Sequence, residues 1–210
     1  SLQMADLYIS HFNQCNHVVV NSQFVQQKIR DVDGKCYPVI YSIPEPNDFV
    51  INKDRVDRKY ITMFNPQLIK GARILENVAQ EMPGEVFQVV GGWHLKTDID
   101  ASKYSNIKMI RPSILPKNIY AVSKIVLVPS QWEEPLGRIP IEAAYNRCPI
   151  VASKVGGIPE LFEGNGILVD DYTNPMAFIN AINELYEQDK YVETLKQCEY
   201  IISLDWFKQE

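Results

Sequence analysis

The chain has 210 residues, of which 46% are hydrophobic and 22% charged, as in ordinary globular proteins with a sizeable core. Its formal net charge of -5 argues against a strongly basic nucleic-acid binder, because neutralising phosphates requires clustered Lys and Arg. No apolar run approaches the roughly 18 residues of a membrane span, and no signal peptide is visible, so we expect a cytoplasmic protein.

Short β-branched runs alternate with helical stretches along the chain. The predicted strands are His17–Asn21, Tyr37–Tyr41, Tyr60–Phe64, Val86–Val90, Ile107–Ile110, Ile125–Val128, Ile150–Ser153 and Gly166–Val169. The predicted helices are Ser22–Arg30, Gly71–Glu81, Lys117–Ser123, Ile139–Tyr145, Pro159–Phe162, Pro175–Glu187 and Lys190–Ile202. Several strands are continuously apolar, which is typical of parallel sheets covered on both faces. The alternation therefore predicts an α/β fold with a doubly wound parallel sheet.

A linker is predicted at Ile43–Asn52, because Pro44 and Pro46 disfavour a helix and cannot donate to a sheet. The roughly 45 residues before it are too few for a complete domain. We expect them to pack on the rest of the chain or on a missing N-terminal partner. The chain begins with Ser1 rather than Met, which suggests a fragment of a longer protein.

Metal binding is not expected from the sequence. Four cysteines (Cys15, Cys36, Cys148 and Cys198) and three histidines are dispersed, without a Cys-x-x-Cys pair, so we predict reduced thiols and no structural zinc. Asp98 and Asp100 have the Asp-x-Asp spacing of a metal signature, but they follow a polar stretch and are interpreted as a solvated loop.

The stretch Pro129–Glu160 carries the chemistry. It begins at the carboxyl end of a predicted strand, where open α/β sheets bind ligands. Gly137 permits close approach of the backbone to a ligand, and the helix that begins there directs free amides and a positive dipole end toward an anion.

Two carboxylates, Glu134 and Glu142, flank this turn. Glu142 has apolar neighbours and therefore needs hydrogen-bond donors, which vicinal sugar hydroxyls or a structural Arg or Lys would supply. Glu133 is the alternative to Glu134 in this register, and is interpreted as a solvated residue or a cap.

The ordered motifs of this stretch resemble the donor-binding domain of retaining glycosyltransferases of family 4 (group 1), which have the GT-B fold. They are Glu-x7-Glu enclosing Pro-Leu-Gly, then Glu-Ala-Ala, Cys-Pro-Ile-Val-Ala-Ser and Gly-Gly-Ile-Pro-Glu. A weaker resemblance covers Val18–Ile29, Val39–Ile43, Phe64–Gly71 and Val89–Gly92. It implies that residues 1–45 are the tail of an N-terminal Rossmann-like domain with the linker start. Residues 46–210 would be the Rossmann-like donor-binding domain.

The resemblance implies roles for matching positions. Glu134 would be the catalytic residue that contacts the donor sugar, and Glu142 would bind the ribose. The other predicted donor- or nucleotide-binding residues are Lys70, Leu136, Gly137, Arg138, Arg111, Ser113 and Asn65, the last standing where the family often has Arg. Ordinary salt bridges remain the alternative for Glu142 and Arg138, and an ordinary surface residue for Lys70.

The function that the resemblance implies is transfer of a sugar from a nucleotide diphosphate sugar (UDP, GDP or ADP as the nucleotide) with retention of configuration, without cofactor or obligatory metal. It implies a hexosyltransferase-like enzyme of polysaccharide biosynthesis that lacks its N-terminal acceptor domain here and binds no nucleic acid. The full-length protein would be cytoplasmic, with peripheral association at the inner membrane face as one option. Alternatives are a nucleotide-sugar-binding module without activity on its own, a nucleotide-sugar epimerase or an interaction protein.

Overall fold

The computed structural model describes residues 11–12, 14–42, 50, 57–92, 97–111, 115–162 and 164–203, with only the backbone for 161 and 199–203. The described strands are β1 (Tyr60–Phe64), β2 (Phe87–Val90), β3 (Ile107–Ile110), β4 (Ser123–Val128), β5 (Ile150–Ser153) and β6 (Gly166–Val169). The described helices longer than one turn are α1 (Gln23–Asp33), α2 (Ala72–Glu81), α3 (Pro116–Val122), α4 (Arg138–Tyr145), α5 (Pro175–Leu185) and α6 (Gln188–Ser203). Short 3-10 helices occupy Leu68–Lys70, Ala101–Lys103 and Ile158–Leu161.

The six strands form one sheet in the order β3-β2-β1-β4-β5-β6, and every pairing is parallel. This confirms the predicted doubly wound α/β fold. The chain runs from the central β1 to the edge at β3 and then crosses back to β4 on the other side of β1. The reversal leaves a crevice at the carboxyl ends of β1 and β4, which is where such sheets bind ligands.

Apolar residues fill both faces of the sheet, which explains why the strands read as continuous apolar runs. On one face, Ile61 and Leu127 pack with residues of α2 and α5. On the other face, Val126 and Ile150 pack with Tyr120 of α3 and with residues of α4. Both helical layers therefore hold the carboxyl ends of the strands in fixed positions.

The two predicted strands nearest the N-terminus, His17–Asn21 and Tyr37–Tyr41, are not strands. They share a single parallel bridge between Val20 and Val39. A two-stranded pair is marginal by itself, and no third strand extends it among the described residues. Pro38 lies beside the bridge and has no amide to donate, which limits the ladder further.

Two further predicted elements differ in the kind of structure that their residues adopt. Ser123, predicted to end a helix, begins β4, where its buried hydroxyl bonds Thr62 Oγ1 at 2.6 Å and Ile119 O at 2.7 Å. Pro159–Phe162 forms one 3-10 turn instead of an α-helix. Apart from Val50, the predicted linker Ile43–Asn52 lies outside the described residues. Among the helices that are described, none combines the length and apolar character needed to cross a membrane.

Candidate functional site

A cavity of about 480 Å³ opens at the carboxyl ends of β1, β2 and β4. The sequence-predicted site residues that line it are Asn65, Lys70, Glu134, Leu136, Gly137, Arg138 and Glu142. These residues are up to 77 positions apart, from 65 to 142, and the crossover from β3 back to β4 brings them together.

Two predicted site residues are not placed in this cavity. Arg111 follows the edge strand β3, is exposed, and is not one of the described residues that line the cavity. One strand, β2, separates β3 from β1, and Arg111 follows β3 at the edge of the sheet. Ser113 lies outside the described residues.

Glu134 and Lys70 form an ion pair in the wall of the cavity. Lys70 Nζ lies 2.5 Å from Glu134 Oε1, and the Ser130 hydroxyl donates to the same oxygen at 3.1 Å. Both side chains are mostly buried, at 25% exposure for Lys70 and 13% for Glu134. The ammonium also lies 4.7 Å from the centre of the Trp132 ring, a cation–π distance. Lys70 and Glu134 thus neutralise each other in this wall of the cavity.

Glu133, the alternative to Glu134 in this register, lies outside the cavity lining. Glu133 has a largely exposed side chain whose Oε1 accepts from Lys28 Nζ at 2.8 Å. Of the two neighbouring acids, only Glu134 lines the cavity. Exposed pairs of this kind contribute little to stability.

The backbone around Lys70 is fixed by a close approach of two loops. Gly71 has φ +90°, and a Cβ placed there would lie 2.0 Å from Pro129 O. Gln131 N donates to Ile69 O at 2.9 Å. Glycine after Lys70 is therefore required sterically, because it lets the turn after β1 touch the end of β4.

The backbone of the Glu134 loop rests on two glycines. Gly157 N donates to Glu134 O at 2.7 Å. A Cβ on Gly156 would lie 2.5 Å from Glu134 N, and one on Gly157 would lie 2.3 Å from Pro135 O. Gly156 and Gly157 thus pack against the backbone of the Glu134 loop, and they are not among the residues that line the cavity.

The N-terminus of α4 faces the cavity. Gly137 is its N-cap residue, with φ +82°, and no side chain caps the helix there. The first amides of a helix have no partner within the helix, so those following Gly137 are donors at a positive dipole end. Gly137, Arg138 and Ile139 all line the cavity, and this wall is therefore suited to an anion.

Glu142 projects from the second turn of α4 with its side chain 12% exposed. The Tyr120 hydroxyl donates to Oε2 at 2.9 Å, and Arg138 Nη2 lies 3.5 Å from Oε1. Burial raises the pKa of Glu142, against the opposing effects of Tyr120 and Arg138. Arg138 is 60% exposed, so this long contact is weak and leaves the carboxylate able to accept further donors.

Residues 14–42 contribute to the site in a way that the sequence did not show. Asn21 and Ser42 line the cavity. The carboxylate of Glu160 accepts from the amides of Gln23 and Phe24 at 2.7 and 3.0 Å, at the N-terminus of α1. The expected packing of this segment on the rest of the chain is therefore observed. Glu160 ends the Gly-Gly-Ile-Pro-Glu motif, but spacing alone could not pair it with a helix more than 130 positions away.

The segment is anchored further by two hydroxyls. Ser22 caps α1 by accepting from Val25 N at 3.0 Å, and its own hydroxyl donates to Pro135 O. The Tyr41 hydroxyl donates to Glu160 Oε1 at 2.7 Å. Because Pro135 follows Glu134 directly, the contact of Ser22 ties the N-terminal segment to the loop that carries Glu134.

The Asp-x-Asp pair has local structural partners. Asp98 Oδ2 accepts from Leu68 N at 2.7 Å, and Asp100 caps the 3-10 helix Ala101–Lys103 by accepting from Ser102 N at 3.2 Å. Within the described part of the chain, no group of three or more His, Cys, Asp or Glu side chains is placed to hold a metal ion.

Comparison with known proteins gives both family and fold matches. Residues 94–201 match the family described as glycosyl transferases group 1. Spore coat protein SA of Bacillus subtilis (strain 168) is 35% identical over 159 residues, covering 65% of this chain and 42% of that protein. The putative glycosyltransferase YtcC of the same strain is 24% identical over 190 residues, covering 78% of this chain and 46% of that protein. This chain thus spans less than half the length of either relative.

A solved structure gives the fold match. The crystal structure of Anabaena Alr3699/HepE in complex with UDP-glucose superposes with a TM-score of 0.83 at 23% identity. The match covers 97% of this chain and 63% of that chain. The shared architecture extends across the described sheet and its flanking helices.

Proposed function

Because the chain belongs to the group 1 glycosyltransferases, we propose that it binds a nucleotide diphosphate sugar and forms the donor half of a retaining, family 4-type enzyme. The observation that carries this proposal is the meeting of Glu134, Glu142, Lys70 and the N-terminus of α4 in one cavity. Together they provide acceptors for sugar hydroxyls and donors for phosphate. UDP is the first nucleotide to test, since the Anabaena structure holds UDP-glucose.

The nucleotide would be held at two points. The carboxylate of Glu142 would accept from the vicinal ribose hydroxyls, while the amides that follow Gly137 would donate to the diphosphate. Lys70 would shift its ammonium from Glu134 to the diphosphate, since a doubly charged phosphate competes strongly for a cation. Glu134 would then be free to accept from a hydroxyl of the donor sugar.

Sugar transfer breaks the bond between the anomeric carbon and the diphosphate oxygen and forms a bond from that carbon to an acceptor hydroxyl oxygen. The hydroxyl proton passes to the departing diphosphate, on which negative charge grows as the bond breaks. Lys70 and the dipole of α4 lie where they would stabilise that charge, and such preorganised electrostatics is a large part of catalysis. We propose that these groups act without an obligatory metal. Retention of configuration is carried over from the resemblance and is part of the proposal.

We propose that the acceptor site needs a second domain, since the chain spans less than half the length of these relatives. The alternative function is a nucleotide-sugar-binding module with no activity on its own, and the coverage of less than half of those relatives favours considering it. Both functions share the donor site. Turnover by the protein joined to its acceptor-binding domain separates them, because only an enzyme then releases free UDP from a UDP-sugar faster than the buffer background when an acceptor is supplied.

The test of the donor site is a thermal-shift and calorimetry panel with UDP, GDP and ADP. A ligand that binds the native state raises the melting temperature, by an amount that grows with the ratio of ligand to dissociation constant. We expect a rise with at least one nucleotide and its loss in Glu142→Ala. Glu184→Ala, an exposed residue of α5, is the matched control and should keep the rise. Absence of any shift at millimolar nucleotide would overturn the proposed function.

A further inference from the structure

Tyr120 is not among the residues that line the cavity, but it contacts Glu142, which does line it. It is in the last turn of α3 and fully buried, yet its hydroxyl reaches Glu142 Oε2 of α4 at 2.9 Å. Its ring packs against Phe64, with the centroids 5.2 Å apart, among the apolar residues of one face of the sheet. This packing fixes the orientation of the buried ring and therefore the position of its hydroxyl.

The contact satisfies two buried polar groups at once. A buried tyrosine hydroxyl needs a partner, and so does a carboxylate that is 12% exposed. The terminal torsion of a glutamate is broad, so the chain alone does not fix the plane of its carboxylate. Holding Oε2 from α3 fixes that plane and leaves Oε1 on the side where Arg138 lies 3.5 Å away.

We propose that Tyr120 is a positioning residue for the nucleotide ribose, which it orders by holding Oε2 of Glu142 so that the carboxylate meets the two vicinal hydroxyls. The inference rests on the proposed function, because it names how one residue of that site is kept in its binding orientation. Tyr120 touches no ligand in this scheme and acts only through Glu142.

The chemistry of the pair supports this role. Burial and the neighbouring Glu142 raise the pKa of Tyr120 well above its ordinary value, so its hydroxyl stays a donor at any pH used for binding. The same hydrogen bond favours the ionised form of Glu142, opposing the effect of burial on its pKa. The charged or titratable groups facing Glu142 among the described residues are Tyr120 and Arg138, with Lys70 and Glu134 in the same cavity wall.

The decisive experiment is a thermodynamic cycle on the wild type and Tyr120→Phe, with UDP and 2′,3′-dideoxy-UDP measured by calorimetry. The variant keeps the buried ring and removes only the hydroxyl. We expect it to weaken UDP about tenfold, as for loss of one hydrogen bond to a charged group, and to leave dideoxy-UDP within twofold of the wild type. Tyr104→Phe is the matched control, since burial and the neighbouring Glu76 likewise raise the pKa of Tyr104, but neither residue lines the cavity.

A pH series gives a second readout. Affinity for UDP should fall as pH falls through the pKa of Glu142, and in Tyr120→Phe this fall should move to higher pH. A carboxylate-selective NMR titration of the ligand-free proteins should show the same upward shift. Equal losses for both nucleotides, or an unchanged titration, would overturn the role of Tyr120 while leaving nucleotide binding intact. A wild type that binds no nucleoside diphosphate would overturn the proposed function and the ribose role together.

Discussion

The Nζ of Lys70 lies 2.5 Å from Oε1 of Glu134, so these two cavity residues are bonded to each other in the ligand-free protein. They belong to loops that follow β1 and β4, two strands paired side by side at the centre of the sheet. A diphosphate entering the cavity must therefore compete with Glu134 for Lys70. Ligand entry and release of the acid are linked events in this arrangement.

Replacing Lys70 with Ala should weaken UDP binding roughly 10- to 100-fold, because a charge-assisted contact to the diphosphate is lost. Calorimetry at fixed ionic strength measures the effect. Lys103→Ala is the control, since Lys103 is an exposed lysine of a 3-10 helix outside the cavity lining. Binding to Lys70→Ala within twofold of the wild type would show that Lys70 does not contact the diphosphate.

Replacing Glu134 with Gln should separate nucleotide from sugar recognition. The neutral amide no longer holds Lys70, so UDP should bind as well as to the wild type or more tightly. UDP-glucose should bind more weakly relative to UDP, because the proposed carboxylate contact to the sugar is weakened. The ratio of the two dissociation constants is the measured quantity, and Glu133→Gln, which alters the exposed neighbour, should leave it unchanged. A ratio unaltered in Glu134→Gln would contradict a sugar contact by this residue.

Glu142 should make the ligand-free fold less stable as pH rises. Burial raises the pKa of Glu142 in the folded protein above its value in the unfolded chain, so the folded state binds more protons between these two values. Its stabilising contribution is complete below the unfolded pKa and is lost as pH rises through the folded pKa. In Glu142→Gln this part of the pH dependence should vanish.

Urea denaturation between about pH 4 and about pH 8, the range that brackets an upward-shifted carboxyl pKa, measures this effect. Glu184→Gln, on the exposed face of α5, should follow the wild type at every pH. If the wild-type and Glu142→Gln curves ran parallel, the pKa of Glu142 would be the same in the folded and unfolded states.

The four cysteines should divide into two reactivity classes. Cys15 and Cys36 are exposed, whereas burial raises the pKa of Cys148 to about 11 and of Cys198 to about 12. Only the thiolate is nucleophilic, so the buried pair should react slowly at about pH 8. Ellman's reagent should titrate two thiols rapidly in the native protein and four after unfolding. Cys15→Ser should reduce the rapid count to one, and a rapid reaction of Cys148 would contradict the packing of α4 against β4 and β5.

The sequence predicted the sheet because several of the strands that form it are continuously apolar runs. The bounds of β1, β3, β5 and β6 agree with the prediction, since turn-forming residues flank each run. The segments at Val20 and Val39 are equally β-branched, but a strand also needs neighbours, and these depend on contacts distant in sequence.

The same difference between local pattern and contacts distant in sequence separates the site residues that could be predicted from those that could not. Glu134, Gly137 and Glu142 could be predicted because they lie within one short turn-and-helix segment of the chain. Tyr120 and Glu160 could not, because their partners are set by how α3 and α1 pack on the sheet. The resemblance implies a site role for Arg111, but this residue follows the edge strand β3 and is not among the described residues that line the cavity.

The contacts of Ser22 and Glu160 connect α1 to the loop of Glu134. Ser22 bonds the residue immediately after that acid, and Gly157 bonds the carbonyl of the acid itself. A small rotation of α1 would move the loop at Pro135, while the hydrogen bond from Gly157 holds the carbonyl of Glu134. A displacement of α1 is therefore expected to change the position of Glu134 in the cavity.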